Sequence, residues 1–120
     1  MHITIFIKVF LILFIVDLIW IQLFAKNKYR KMIKNIQNEE LQIKIIPTLL
    51  VYVFLTLLFI LFTNKSNIKM FLLGFLTYGI YDMTNYALLN KFDRNFAIFD
   101  MIWGGFLFTI TNYIFRKYMI

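Results

Sequence analysis

The feature that most constrains this chain is a set of four apolar runs, each about as long as a membrane-crossing helix. A helix needs roughly 20 apolar residues to cross a hydrocarbon core of about 30 Å. None of the runs shows the alternation of polar and apolar residues that marks a transmembrane strand. The sequence therefore predicts an all-α, four-span transmembrane helical bundle in one integral membrane domain, with spans at about residues 3–25, 45–63, 70–90 and 96–115.

Composition supports this interpretation, because the chain holds more apolar residues than a small soluble core can bury. Of its 120 residues, 62% are hydrophobic and 16% are charged, whereas soluble domains average about 45–50% and about 25%. A domain of this size buries only part of its surface, so the excess apolar residues need lipid. An integral, multi-pass location follows, in a cellular membrane or, for a viral protein, in a host or virion membrane.

The first run has two interpretations, an uncleaved span or a cleaved signal peptide. Lys8 is the only lysine or arginine ahead of the main apolar stretch, and the sequence around Ala25 reads QLFAKN. That stretch lacks the small residue expected three positions before a cleavage site. These features favour the uncleaved helix.

Short connections predict the order of the later spans. Six residues (NKSNIK) join the second span to the third, and five (KFDRN) join the third to the fourth. Connections this short link antiparallel neighbours, which gives an up-down topology. The first and third loops hold eight lysines and arginines, and the opposite side holds five with Lys8 included. The positive-inside rule then places the first loop in the cytoplasm.

The linker between the first two spans, about residues 26–44, separates apolar from basic positions. Apolar residues recur at helical spacing: they are Tyr29, Met32, Ile33 and Ile36. Four basic residues between them are predicted to meet the membrane surface: Lys28, Arg30, Lys31 and Lys34. A short basic interfacial helix fits this pattern, and a solvated, partly helical loop is the alternative.

Charge and residue inventory limit the partners and the chemistry. The net charge of +7 predicts attraction to the anionic lipid headgroups of the bilayer. Nucleic acid is not predicted as a partner, because the positive charge lies beside spans and forms no separate domain. The chain has no cysteine, one histidine (His2) and one serine (Ser66), which excludes a Ser-His-Asp triad and cysteine- or histidine-based zinc sites. No cofactor is predicted, and the inventory argues against an enzyme.

Three acidic residues lie inside the apolar runs: Asp17, Asp82 and Asp100. Each carboxylate would cost about 2.5–3.5 kcal/mol at a helix centre. At a helical rise of about 1.5 Å per residue, they lie about 13, 12 and 8 Å from span ends on the same predicted side. We therefore expect the three carboxyl groups to converge in one layer of the bundle.

Residues near the acids complete the predicted site. In the third span Tyr78, Asp82 and Asn85 share a face, and in the motifs DLIW and DMIW a tryptophan follows an aspartate by one turn. An indole there can donate to a carboxylate on the partner helix. The predicted proton- or ligand-binding set is Asp17, Asp82, Asn85, Asp100, Trp20, Trp103 and Tyr81.

Carboxylates held close together in a low dielectric cannot all be ionised. Either they share a proton, or they bind a cation with Asn85, and hard oxygen ligands suit Na⁺, Mg²⁺ or Ca²⁺; the identity of such a metal stays open. The alternative is purely structural, with each aspartate bonded to a neighbouring helix. Such bonds contribute about 0.6 kcal/mol on average in membranes, which is less than the insertion cost, and this difference favours a functional site.

The motifs YDMTN at Tyr81–Asn85 and DMIWG at Asp100–Gly104 resemble those of a family of small, predicted four-helix membrane proteins of unknown function. The similarity also includes Asp17 and Trp20 and the basic stretch after them. The third loop differs, because KFDRN replaces a Gly-Trp-Pro type of turn. The resemblance implies the architecture and the site residues, and it implies no activity.

Three functional hypotheses follow. The leading one is a small transport or binding module whose elementary event is protonation or cation binding at the acidic layer. The second is a structural or assembly protein of a cellular or viral membrane, which uses the basic linker. The third is a lipid-modifying enzyme with aspartate as general base, and it lacks a visible nucleophile. A channel would need a homo-oligomer, because four thin helices leave little room for a pore.

Overall fold

The computed structural model describes residues 2–119, and every regular element in that range is helical. No strand occurs between residues 2 and 119, which confirms the all-α prediction. The elements are α1 (Ile3–Trp20), a π-helical turn (Ile21–Ala25), α2 (Lys26–Gln37), α3 (Ile45–Phe62), α4 (Asn67–Leu88) and α5 (Arg94–Tyr118).

The first helix is unusually long, because α1, the π-helical turn and α2 form one continuous helix over Ile3–Gln37. At about 1.5 Å per residue it extends about 50 Å, well beyond a hydrocarbon core of about 30 Å. It ends at Asn38, which has the left-handed conformation and donates its N–H to the Lys34 carbonyl oxygen at 2.9 Å. The linker is therefore helical over most of its length; that α2 lies on the membrane surface stays a prediction.

Three helices are long and apolar enough to cross a membrane, and they are Ile3–Gln37, Ile45–Phe62 and Arg94–Tyr118. The chain is accordingly an integral, multi-pass membrane protein. Helix α4 has a similar length, 22 residues, but Lys69, Asp82 and Asn85 make it less apolar. Its crossing, like the order of the helices relative to the two sides of the membrane, stays a prediction.

Local sequence explains where the helices begin. Pro47 lies in the first turn of α3, where its missing N–H leaves no hydrogen bond unmade. The Ser66 hydroxyl accepts the Lys69 N–H at 3.3 Å and caps α4. The Asp93 carboxylate accepts the N–H groups of Asn95 and Phe96 and caps α5.

Two clusters of buried side chains hold the helices together. The larger is built from α1, α3, α4 and α5, and consists of Val9, Leu13, Tyr52, Leu55, Phe59, Met70, Leu107, Phe108 and Phe115. The smaller consists of Ala25, Met32, Phe92, Phe96 and Ala97. In the smaller cluster the apolar face of α2 packs on the α4–α5 loop and the start of α5. That face therefore contacts the protein itself.

Polar contacts close the end of the bundle away from α2. Asn112 of α5 is almost fully buried and donates to the Asn64 carbonyl oxygen at 2.9 Å. The Thr63 hydroxyl donates to the Asn112 side-chain oxygen at 2.8 Å, and the Arg116 guanidinium donates to both Thr63 and Asn64. These bonds fix the α3–α4 connection against the last turns of α5.

Helix α5 makes its most extensive contact with α4, and glycines bring the two backbones together. Gly74 faces the Gly104 backbone, whereas Gly104 lies against Tyr78 and Gly105 lies against the ring of Phe71. Higher numbers on α4 meet lower numbers on α5, so this pair runs antiparallel. Small residues permit such close approach in membrane helices.

The glycine contact yields a stability prediction. A Cβ at Gly74 would overlap the Gly104 carbonyl oxygen, and backbone moves away less easily than a side chain. We expect Gly74→Ala to lower the free energy of unfolding by about 1–3 kcal/mol. Gly79→Ala is the matched control, because its Cβ would meet the flexible end of Met101 at 3.2 Å. Unfolding titration in detergent measures both, and equal effects would contradict this account.

Candidate functional site

Asp17 is buried in α1 and has two hydrogen-bond donors from other helices. The Trp103 indole N–H of α5 donates to one carboxylate oxygen at 2.8 Å, and the Tyr52 hydroxyl of α3 donates to the other. One carboxylate therefore ties α1 to both α3 and α5. Bonds to a charged acceptor are stronger than bonds between neutral groups, so this arrangement stabilises an ionised Asp17.

Asp82 has the opposite surroundings. It is fully buried in α4, and neither of its carboxyl oxygens has a hydrogen-bond partner within residues 2–119. The carboxyl group of Asp100 on α5 lies close enough to interact with it electrostatically. A buried carboxylate with no donor and a like-charged neighbour is strongly disfavoured.

The two tryptophans join the two halves of this acidic layer. Trp20 and Trp103 stack with ring centroids 5.0 Å apart and an interplanar angle of 6°. While the Trp103 N–H bonds to Asp17, the Trp20 N–H is buried near Asp100 without a hydrogen-bond partner in the described part of the chain. Each indole thus lies one turn from an aspartate of its own helix and approaches the aspartate of the other helix.

Other residues of the predicted set lie nearby with different roles. The half-exposed Tyr81 and Tyr29 share a hydrogen bond of 2.9 Å between their hydroxyl groups, which links α4 to α2. The Asn85 side chain is half-buried and has no hydrogen bond within residues 2–119. Tyr78, outside the predicted set, lies close enough to interact with all three carboxyl groups.

A cavity of about 620 Å³ opens beside this layer. Asp17, Asp100, Trp20, Tyr78 and Tyr81 line one part of it. The other part is lined by the π-helical turn, the start of α2, the linker after it and the first turn of α3. Its basic residues are Lys26, Arg30 and Lys44, and its apolar residues include Ile21, Leu41, Ile43, Pro47 and Phe96. Asp82 and Asn85 lie outside the lining.

The acids do not assemble into a metal centre. Within residues 2–119, no three acidic, histidine or cysteine side chains come together as metal ligands. Asp17 is occupied by its own donors, which leaves Asp82 and Asp100 as a pair. A hard cation takes about six or more oxygen ligands, and two carboxyl groups supply only part of such a set.

The four basic residues of α2 that were predicted to meet the membrane surface have different surroundings. Lys28, Arg30, Lys31 and Lys34 are all exposed. Lys34 forms an ion pair of 3.0 Å with Glu40. Arg30 lines the cavity beside the acids, whereas Lys28 and Lys31 line a second cavity of about 830 Å³. That they contact lipid stays a prediction.

The Asp17 arrangement predicts a specific cost for losing one donor. Tyr52→Phe removes the hydroxyl and leaves one buried carboxylate oxygen unpaired, so we expect the free energy of unfolding to fall by about 1–3 kcal/mol. Tyr86→Phe is the control, because Tyr86 is 41% exposed and its hydroxyl bonds to no residue within 2–119. Unfolding in detergent followed by circular dichroism measures both, and an equally stable Tyr52→Phe variant would contradict the assignment.

Comparison with known proteins gives a family. The family profile of a predicted membrane protein, DUF2177, matches residues 2–115, whereas no curated protein and no solved structure matches the chain. The matched range contains all three buried aspartates and both tryptophans. It confirms the resemblance found in the motifs around Asp82 and Asp100, and the chain belongs to the DUF2177 family of predicted membrane proteins.

Proposed function

We propose that this protein is a membrane binding module whose elementary event is the exchange of a proton on the Asp82–Asp100 pair, with the cavity as the route of exchange. The observation that carries the proposal is the state of Asp82, which is 0% exposed and has no hydrogen-bond partner within residues 2–119. An ionised carboxylate in that environment is costly, and a proton removes the charge.

Asp100 connects the buried Asp82 to the cavity through which the proton exchanges. It lines the cavity and interacts with Asp82 from the facing helix. A proton arriving through the cavity meets Asp100 first, and a hydrogen bond between the two carboxyl groups then gives Asp82 its missing partner. Two close carboxyl groups favour such sharing, because one proton relieves the repulsion between them.

Asp17 has a supporting role in this proposal. Its two donors fix its position and favour its ionised form, and its carboxyl group lies on the cavity wall. Negative charge nearby favours protonation of the Asp82–Asp100 pair over its ionisation. The buried N–H of Trp20 near Asp100 offers a donor to the ionised form of Asp100. The layer thus combines one hydrogen-bonded carboxyl group, Asp17, with one exchangeable proton on the Asp82–Asp100 pair.

The packing favours binding from one end over free conduction. Beyond the acidic layer the bundle is filled by the larger core cluster, with Phe59, Leu107 and Phe108 fully buried. The Asn112 and Arg116 contacts then close the far end. Transport through the molecule therefore requires a second conformation in which this half opens.

The proton on the acidic pair is directly testable by infrared spectroscopy of the protein in membranes. We expect the wild type at neutral pH to show a carbonyl band of a protonated carboxylic acid that shifts in heavy water. Asp82→Asn should remove this band, and Asp100→Asn should remove or shift it. Asp93→Asn is the matched control, because the same change at an exposed residue keeps a helix cap, asparagine being as good a cap as aspartate.

A band that persists in both Asp82→Asn and Asp100→Asn would reject the proposal and favour a purely structural role. Proton flux in reconstituted vesicles, followed with an enclosed pH dye, separates binding from transport. Flux that is lost in the two variants and kept in Asp93→Asn would show transport. A band without flux would show a binding module.

A further inference from the structure

Three basic side chains from two helices line the cavity beside the acidic layer. Lys26 and Arg30 lie in the first turns of α2, and Lys44 immediately precedes α3. We propose that these three residues bind the phosphate of an anionic membrane lipid whose head group enters the cavity. The inference goes beyond the proton site, because different residues carry it.

The three cations of the cavity have no acidic partner. Among the described residues the one ion pair is between Lys34 and Glu40, so none of the three cations is paired with an acid. Asp17 and Asp100 also line the cavity, but the Asp17 oxygens accept bonds from Tyr52 and Trp103, and Asp100 interacts with Asp82. Three unpaired cations around one space repel one another, and a phosphate with its several acceptor oxygens relieves that repulsion.

The apolar part of the cavity wall points to an amphiphile. Ile21, Leu41, Ile43 and Pro47 line the same space as the three cations. Directly after the linker, Ile45 and Ile46 are 72% and 73% exposed, so the rim of the cavity at the start of α3 is apolar as well. A free inorganic anion gains nothing from such a wall, whereas the glycerol and first methylene groups of a lipid bury apolar surface against it.

The depth of the three cations matches that of lipid phosphates. Lys26 follows the apolar stretch of the first helix, and Lys44 precedes the apolar stretch of α3. Basic residues at the ends of spans lie at the level of the headgroups. The lipid therefore reaches the cavity from the bilayer without leaving its leaflet.

The other basic residues of α2 provide a matched comparison. Lys28 and Lys31 lie on the same helix and line the second cavity, where Asp93 supplies an acidic group. Diffuse attraction of α2 to an anionic surface would depend equally on both pairs of basic residues. A defined phosphate site depends on Lys26 and Arg30 alone.

The test is native mass spectrometry of the purified protein in detergent, with anionic phosphatidylglycerol as the probe and zwitterionic phosphatidylcholine, which has no net charge, as the comparison. We expect one bound phosphatidylglycerol per chain. The Lys26→Gln/Arg30→Gln variant should weaken its binding about tenfold or more, since two charge-assisted bonds are lost. Lys44→Gln should also weaken binding. The affinity of the Lys28→Gln/Lys31→Gln variant should stay within about twofold of the wild type, because exposed and screened charges contribute little.

Equal losses in the two double variants would overturn the proposal in favour of diffuse surface attraction. Competition by glycerol phosphate as strong as that of the lipid would overturn it in favour of a soluble phosphate compound. If circular dichroism shows that the Lys26→Gln/Arg30→Gln variant does not fold, the single variants Lys26→Ala and Arg30→Lys replace it. We then expect lipid binding to be lost in Lys26→Ala and retained in Arg30→Lys. The infrared band of the Asp82–Asp100 pair should survive in every folded variant, so a failure here is distinguishable from a failure of the proton site.

Discussion

The interaction on which this structure depends is the pair of hydrogen bonds to Asp17. A carboxylate inside a membrane helix is tolerated only when other groups satisfy it, and here Tyr52 and Trp103 do so from two different helices. Those bonds fix the rotation of α1 relative to α3 and α5. They also place Trp20 on Trp103, and Trp20 lines the cavity beside Asp17 and Asp100. Loss of this contact would therefore disturb the cavity as well as the packing.

The pair formed by Asp82 and Asp100 depends on another kind of contact, the close packing of α4 on α5. Gly74 and Gly104 let α4 and α5 approach closely, and Tyr78 packs directly on Gly104. That approach brings Asp82 of α4 to Asp100 of α5, and neither carboxyl oxygen of Asp82 has a hydrogen-bond partner within residues 2–119. Two buried carboxyl groups, Asp17 and Asp82, thus acquire different chemistry. Asp17 accepts hydrogen bonds from two fixed donors, and Asp82 depends on a neighbour that itself reaches the cavity.

Much of the fold followed from hydropathy, because each apolar run is long enough to identify a helix without knowledge of its neighbours. The placement of Asp17 and Asp100 on one cavity also agrees with the depth argument, which needs only the helical rise. Tyr52 was not identified, since its bond to Asp17 spans 35 positions and depends on how α1 and α3 rotate against each other. The same limit applies to Lys26 and Lys44, whose convergence depends on the path of the linker. Asn85 shares a helix face with Asp82 in the sequence, and both residues lie outside the cavity lining.

The closed end of the bundle has a consequence for sidedness. The carbonyl of Asn64 and the side chains of Asn112 and Arg116 seal one end, while the cavity opens at the other. The two leaflets of the bilayer are therefore not equivalent to this molecule, and insertion in the reverse orientation would present the cavity to a different lipid population. In a membrane with an asymmetric lipid distribution, orientation alone would decide whether the cavity is filled.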